Sequence, residues 1–153
     1  MSDRRPRRAP ERAPAPSRDP APASELDYRA LARFRRSLRG FLHFSEEAAR
    51  AAGLTPGQHQ LLLAIKGTDT GEAPTIGEVA EWLKLRHHSA VELVDRAAAA
   101  GLVERAQDPE DARCQRLVLT DRGERALARL TALHRDELRR FREETFDHLS
   151  RLG

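Results

Sequence analysis

The sequence contains a single cysteine, Cys114, and no long hydrophobic run among its 153 residues. One cysteine cannot form an internal disulfide, which is typical of proteins in a reducing cytoplasm. The roughly 20 consecutive apolar residues that cross a bilayer are absent. The arginine-rich N-terminus also lacks the apolar segment of a secretory signal. We therefore expect a cytoplasmic protein that has no membrane partner.

Motifs of the common enzyme classes are also absent from the sequence. There is no glycine-rich phosphate loop, no H-E-x-x-H helix and no nucleophile elbow. The single cysteine has no histidine at a spacing typical of a catalytic pair. We therefore expect a protein without enzymatic activity and without a cofactor.

Basic charge is concentrated at the N-terminus. Residues 1–24 contain six arginines, six prolines and three acidic residues. They have too few apolar groups to offset the entropy of ordering, so we predict a disordered basic arm. Two roles are open for it, a solubilising tail or an arm that contacts phosphates. Residues 25–153 hold the remaining 21 basic and 21 acidic residues of the chain's 27 and 24. A nucleic-acid site in this part must therefore depend on local geometry.

Two long helices are predicted, one at each end of the ordered region. Ser24 is a typical N-cap, and apolar residues at helical spacing predict a helix over residues 25–52. After Thr120, a roughly heptad spacing predicts a second helix over residues 121–152. A small core cannot cover both apolar stripes, so the helices must pack against each other or against a second subunit. The stripes include Phe34, Phe41, Leu138 and Phe141.

Residues 54–120 contain three shorter helices and two strands. Thr55 followed by Pro56 is a typical helix start. The stretches IGEVAEWLKL and HHSAVELVDRAAAA are joined by a tight connection and resemble a helix-turn-helix. We place Val91, Val94, Ala97 and Ala98 of the second stretch in the core. LVER and CQRLVLT then predict an antiparallel hairpin around the turn at Asp108-Pro109. The predicted fold is therefore mainly α, with one small two-stranded sheet.

An ordered set of motifs resembles the MarR family of transcriptional regulators. These motifs are LTPGQ at 54–58, LVDR at 93–96, GLVER at 101–105, DPEDAR at 108–113 and LTDRG at 119–123. The resemblance covers roughly residues 26–135. It implies a winged helix-turn-helix domain over 25–153, in which 54–120 form the DNA-binding core and 25–52 and 121–152 are dimerisation helices. It further implies a homodimer that binds a pseudo-palindromic DNA operator, usually as a repressor released by a small-molecule effector.

The resemblance places the start of the fourth helix in the major groove of DNA. There Arg86 can contact guanine or a phosphate, and His87 and His88 can donate to N7 or O6 acceptors. Glu92 can accept from a cytosine amine. The DNA-contacting residues predicted on this helix are Arg86, His87, His88, Ser89, Glu92 and Arg96.

The hairpin loop supplies the second predicted contact with DNA. Arg113 is expected to enter the minor groove, whose negative potential attracts a guanidinium. Asp111 is expected to hold that guanidinium through a charged hydrogen bond. Arg116 is expected to reach a flanking phosphate. Cys114 is interpreted as a small structural residue, with a redox-sensing thiol as the alternative.

Three further alternatives remain open at the sequence level. His88, Glu92 and Asp95 have a spacing that could align metal ligands on one helix face, although we expect no metal there. Residues 86–116 hold five arginines and six acidic residues, so a dimeric winged-helix adaptor that binds protein instead of DNA is the alternative function. His43 could line an effector pocket.

Overall fold

The computed structural model describes residues 22–69 and 71–150, except for the side chains of 147–149. Most of the predicted arm, and residues 151–153, lie outside these ranges. The described part is mainly α-helical with one antiparallel hairpin, which confirms the predicted fold class. Its elements are α1 (Glu25–Ala51), α2 (Pro56–Lys66), α3 (Ile76–Leu83), α4 (His87–Ala99), β1 (Val103–Gln107), β2 (Gln115–Leu119) and α5 (Asp121–Leu149).

Side-chain caps determine where most of the helices begin. Ser24 caps α1, Thr55 caps α2, and Thr75 caps α3, each accepting an N–H of the first turn. In all three helices the side chain at N3 accepts the backbone N–H of the cap residue, which completes a capping box. Thr120 accepts the N–H of Gly123 at the start of α5. These hydroxyl groups satisfy donors that a helix start leaves unpaired.

The core lies where α2, α3, α4, the sheet and the first part of α5 meet. Its fully buried large side chains include Leu61, Leu62, Val79, Val94, Val103, Leu117 and Leu130. The predicted core face of α4 is partly wrong. Ala90 and Leu93 are buried beside Val94 and Ala97, whereas Val91 and Ala98 are only half-buried. The reason is that α4 packs against three elements, α2, α3 and β1, which together determine the face that is covered.

β1, β2 and the loop 108–114 between them form the wing. The strands are antiparallel, and Val103 pairs with Leu119 while Arg105 pairs with Leu117. The segment before α3 joins the other edge of β2, because the N–H of Leu117 donates to the carbonyl of Pro74 at 2.8 Å. Leu117 and Val103 are buried, so the base of the wing is anchored in the core and its tip extends outward.

α1 and α5 form an antiparallel pair that projects from this core. Ser45 bonds to His134, and the rings of Phe41 and Phe141 lie 5.4 Å apart. Phe41 and Phe141 therefore pack on each other within one chain and are half-buried, so at this point the two predicted stripes pack against each other. Leu138 remains 48% exposed. None of the helices in the described ranges combines the length and apolar character needed to cross a membrane.

Candidate nucleic-acid interface

The connection between α3 and α4 is a tight turn of three residues. Lys84 has φ of 56°, a left-handed conformation that is uncommon for a residue with a side chain. The N–H of Leu85 donates to the carbonyl of Ala80 at 2.9 Å, and Arg86 is the N-cap of α4. This geometry closes α3 and starts α4 at a fixed angle, as in a helix-turn-helix.

The N-terminus of α4 lacks a side-chain cap, unlike the other helices in the described ranges. Arg86 occupies the N-cap position, where it offers no acceptor to the N–H groups of the first turn. Arg86, His87 and His88 are all exposed. Free N–H groups, the positive end of the helix dipole and a guanidinium therefore lie together on the surface. This combination favours binding of a phosphate group.

The remaining predicted residues of α4 lie along the same helix. Glu92 and Arg96 are exposed, whereas Ser89 is half-buried. Asp95 pairs with Arg105 of β1 at 2.5 Å, which links α4 to the wing. Within the described ranges, no three metal-binding side chains converge. The carboxylate of Asp95 faces β1, so the geometry does not support the alternative metal site.

Asp108 organises the loop of the wing. One oxygen of its carboxylate accepts the N–H groups of Glu110 and Asp111 at 2.8 and 3.0 Å. The other accepts from the guanidinium of Arg116 at 2.5 Å. The hydrogen bond from Arg116, and then the two backbone bonds, hold the pKa of Asp108 below its usual value. The N–H of Asp108 also donates to the carbonyl of Cys114, which closes the loop. Asp108 is 8% exposed.

The structure places Arg116 differently from our prediction. Its guanidinium binds Asp108, donates to the carbonyl of Ala73 at 2.9 Å and pairs with Glu72 at 2.9 Å. A side chain held by three partners within the chain is not available to a flanking phosphate. The physical reason is that Arg116 faces the loop before α3, whose carbonyl and carboxylate groups satisfy its donors. Arg116 is therefore a positioning residue of the wing.

The predicted ion pair at the tip of the wing is also corrected. The carboxylate of Asp111 accepts the backbone N–H of Arg113 at 2.9 Å, and no ion pair with the Arg113 guanidinium occurs in the described part of the chain. An aspartate side chain readily reaches the N–H two residues ahead, which explains this geometry. Arg113 is exposed at the tip. Asp111 thus shapes the backbone that presents Arg113 but does not hold its side chain.

Sequence reasoning missed three contributors to the wing, namely Glu72, Ala73 and the carboxylate of Asp108. Aspartate before proline was a usable signal for Asp108, because such a carboxylate commonly accepts N–H groups of the following turn. No local pattern identifies Glu72 or Ala73, which reach Arg116 from a distant part of the sequence.

Two buried histidines lie where α1, α2 and α5 meet. The rings of His59 and His134 are 4.9 Å apart, and both side chains are almost fully buried. Nδ1 of His134 must donate, because its partner is the carbonyl of Leu130 at 2.7 Å. Nε2 of His134 lies 2.8 Å from the hydroxyl oxygen of Ser45, within hydrogen-bond distance. Burial first, and then the charge of His134, lower the pKa of His59 to about 4, so this ring is neutral at pH 7.

Comparisons with solved structures agree with this geometry. A MarR family transcription regulator has 28% identity to this chain with a TM-score of 0.65, over 76% of this chain and 75% of that one. CouR of Rhodococcus jostii RHA1, solved with p-coumaroyl-CoA, has 24% identity and a TM-score of 0.66, over 79% and 83%. A mutant of S. aureus MepR bound to an oligodeoxyribonucleotide has 19% identity and a TM-score of 0.60, over 74% and 79%. The latter two show a shared fold.

A family model gives the remaining comparison. No curated protein matches the chain in sequence. The model described as MarR family matches residues 52–113, which extend from the end of α1 through the helix-turn-helix to Arg113 in the wing. In this segment, and in a fold shared over about three quarters of its length, the chain is similar to the MarR family.

Proposed function

We propose that the protein is a sequence-specific DNA-binding regulator of transcription that acts in the cytoplasm as a homodimer. The observation that carries this proposal is the first turn of α4, where the exposed residues Arg86, His87 and His88 surround N–H groups that lack a side-chain cap. A helix start of this kind satisfies its free donors on an external anion. In a helix-turn-helix, that end of the second helix faces the major groove.

The contacts divide into two chemical kinds. The helix N-terminus and Arg86 bind the phosphate backbone, which contributes affinity without selecting a sequence. Base edges can bind the donors of His87 and His88 and the acceptor of Glu92. Arg96, one helical turn after Glu92, is also exposed. At the tip of the wing, Arg113 enters the minor groove. Ser89 is half-buried and contributes least.

The test is a fluorescence-anisotropy titration with a labelled duplex from upstream of the protein's own gene and with a shuffled duplex. We expect tighter binding to the first duplex and a steep loss of affinity between two salt concentrations, since bound phosphates release counterions. Arg86→Ala should weaken binding roughly 10-fold or more. Arg142→Ala on α5 removes the same charge at an exposed position and should leave affinity unchanged.

The alternative adaptor function makes a different prediction for the same titration. The region 86–116 carries one more acidic than basic residue, and this balance favours a protein partner over DNA. An adaptor would bind neither duplex with a steep salt dependence, and Arg86→Ala would have no effect in this assay. That result would overturn the proposal in favour of the adaptor.

The homodimer is supported by apolar side chains that the chain leaves uncovered on α1 and α5. The antiparallel pairing brings the first turns of α1 to the same end as the last turns of α5. At that end Leu26, Tyr28, Leu31 and Phe146 are between 54% and 74% exposed. A second copy would cover them, since each full burial is worth roughly 1.5–3 kcal/mol. Two α4 helices about 34 Å apart would then bind a pseudo-palindromic operator.

We further propose repression that a small-molecule effector releases. A groove of about 550 Å³ lies between α1 and α5, lined by three arginines, two phenylalanines and two glutamates: Arg33, Arg36, Arg140, Phe41, Phe141, Glu137 and Glu144. Glu137 pairs with Arg140, so Arg33 and Arg36 are the arginines that face a ligand without that partner. Its arginines and aromatic rings fit an anionic ligand, and CouR of this fold was solved with p-coumaroyl-CoA. His43 lies exposed on α1, outside this groove. An effector should raise the melting temperature of the free protein and increase the dissociation constant for the operator.

A further inference from the structure

The only tryptophan in the sequence is unusually exposed. Trp82 lies in α3, where Val79 and Ala80 are buried, yet Trp82 itself is 59% exposed. A tryptophan that packs normally covers 150–250 Å² of surface, so leaving it in water forgoes a large hydrophobic contribution. Trp82 borders a groove of about 290 Å³ between α2 and α3, which we call the Trp82 groove.

The Trp82 groove combines an apolar surface with acidic side chains. Ala64, Pro74 and Val79 contribute apolar surface, and Asp69 and Glu78 contribute carboxylates. The carboxylate of Glu78 accepts the N–H and hydroxyl of Thr75 at 2.7 and 2.9 Å. The backbone hydrogen bond first, and then the hydroxyl, lower the pKa of Glu78, so it stays ionised.

An aromatic side chain beside apolar surface and two carboxylates suits a partner that carries both prolines and arginines. Aromatic grooves bind proline-rich segments, and arginine pairs with carboxylates and stacks on indole rings.

The chain itself contains such a segment. Residues 1–21 hold five prolines and six arginines, and their net charge is positive. We propose that residues 1–21 bind the Trp82 groove, of the same subunit or of its dimer partner. Prolines would lie against the indole of Trp82, and arginines would pair with Asp69 and Glu78.

The length of the segment is sufficient for this contact. Residues 1–21 join the described structure at Pro22, next to the first turn of α1. With 27 residues, α1 is about 40 Å long at 1.5 Å per residue. A proline-rich segment of 21 residues extends about 65 Å at 3.1 Å per residue. Fully extended, the segment is therefore about 25 Å longer than α1, so its N-terminal residues can reach past the far end of that helix.

The experiment uses the fluorescence of Trp82, which no other tryptophan obscures. The full chain is compared with a full-length variant carrying Arg4→Ser, Arg5→Ser, Arg7→Ser and Arg8→Ser. The expected result is a red shift of the emission maximum and about a twofold increase in acrylamide quenching in the variant. A peptide of residues 1–21 added to the variant should reverse both changes in a saturable manner, and 1 M NaCl should weaken that reversal.

A matched pair of substitutions locates the contact. Asp69→Asn should weaken peptide binding several-fold, whereas Glu104→Gln on β1 makes the same charge change at an exposed site and should not. Identical emission and quenching in the full chain and the arginine variant would overturn the proposal. So would a variant that changes only the salt dependence of DNA binding, because the segment would then contact phosphates and not Trp82. Neither result bears on whether α4 binds DNA.

Discussion

At the scale of single residues, Asp108 has the largest structural role in the wing. Its two oxygens bind two backbone N–H groups and one guanidinium, so one side chain fixes both the loop and its attachment to Arg116. The Arg116 guanidinium then holds the segment before α3 through Ala73 and Glu72. Contacts at the base of the wing therefore fix the position of the tip that carries Arg113.

Replacing Asp108 should loosen the loop without unfolding the core. In Asp108→Ala, the N–H groups of Glu110 and Asp111 lose their acceptor, and Arg116 loses one of its partners. Hydrogen exchange of the peptide covering 108–114 should become roughly 10-fold faster, as expected when hydrogen bonds worth about 1.5 kcal/mol are lost. Exchange in α2 should stay unchanged. Equal acceleration in both regions would indicate global destabilisation and contradict this role.

Arg113 and Asp111 should differ in how much they contribute to DNA binding. Arg113→Ala should reduce operator affinity by about 1–3 kcal/mol, the value expected for one specific contact. Asp111→Ala should cost less, because its carboxylate holds only the backbone N–H of Arg113. The double variant should lose less than the two single losses together, since the loop shape matters little without the guanidinium. Anisotropy titrations measure all three, and unchanged affinity in both single variants would contradict the wing assignment.

His59 should make the protein less stable in mild acid. Its pKa lies at about 4 in the folded chain against 6.5 for the ordinary group, so the unfolded chain binds the proton first as pH falls. The contribution of neutral His59 is therefore complete above pH 6.5 and is lost progressively toward pH 4. Between pH 7.5 and pH 5 the free energy of unfolding should fall by about 2 kcal/mol from this residue. Urea titrations should show a smaller fall in His59→Phe. The exposed control His87→Gln should keep the wild-type dependence.

At the scale of elements, local chemistry made the helix starts predictable. The starts of α1 and α2 follow Ser24 and Thr55 as the sequence indicated, and α3 begins in the same way after Thr75. Each signal is complete within four residues, which a linear sequence displays directly. The contacts of Arg116 with Ala73, and of His134 with Ser45, were not predictable. They join residues 43 and 89 positions apart, and tertiary packing alone determines which distant groups meet.

Two helical glycines should respond in opposite ways to the same substitution. A Cβ on Gly123 would lie 2.2 Å from the carbonyl oxygen of Leu102, whereas a Cβ on Gly40 would meet no atom within 4 Å. Gly123→Ala should destabilise the protein by about 1–3 kcal/mol or more, because α5 must move away from the backbone before β1. Gly40→Ala should stabilise it by about 0.5–1 kcal/mol through lower backbone entropy. Chemical denaturation measures both, and a neutral Gly123→Ala would contradict the close approach of α5.

At the scale of the whole molecule, the apolar side chains of α1 and α5 are of two kinds. Some join the helices within the chain, where Phe41, Phe141 and His134 make ring contacts. Other apolar side chains of α5 lie outside this contact and remain exposed, namely Leu133, Leu138 and Phe146. Heptad spacing placed Leu138 and Phe141 in one stripe and could not separate the exposed residue from the packed one, because it does not specify which face meets the same chain. The exposed surface is the one that a second subunit would cover.

A charge on this exposed surface should therefore separate the subunits and leave each chain folded. Leu138→Glu and Phe146→Glu change side chains that are 48% and 74% exposed, so the isolated chain loses little packing. In a dimer, however, the new carboxylate would be buried without a partner, which is strongly unfavourable. Analytical ultracentrifugation at tens of micromolar should show a dimer for the wild type and a monomer for both variants, with equal helicity by circular dichroism. Leu63→Glu on α2, at a position 37% exposed, is the matched control and should stay dimeric.

Operator affinity should fall when the dimer is lost, because one subunit contacts only a half-site. A wild-type monomer that still binds its operator tightly would contradict the dimeric architecture.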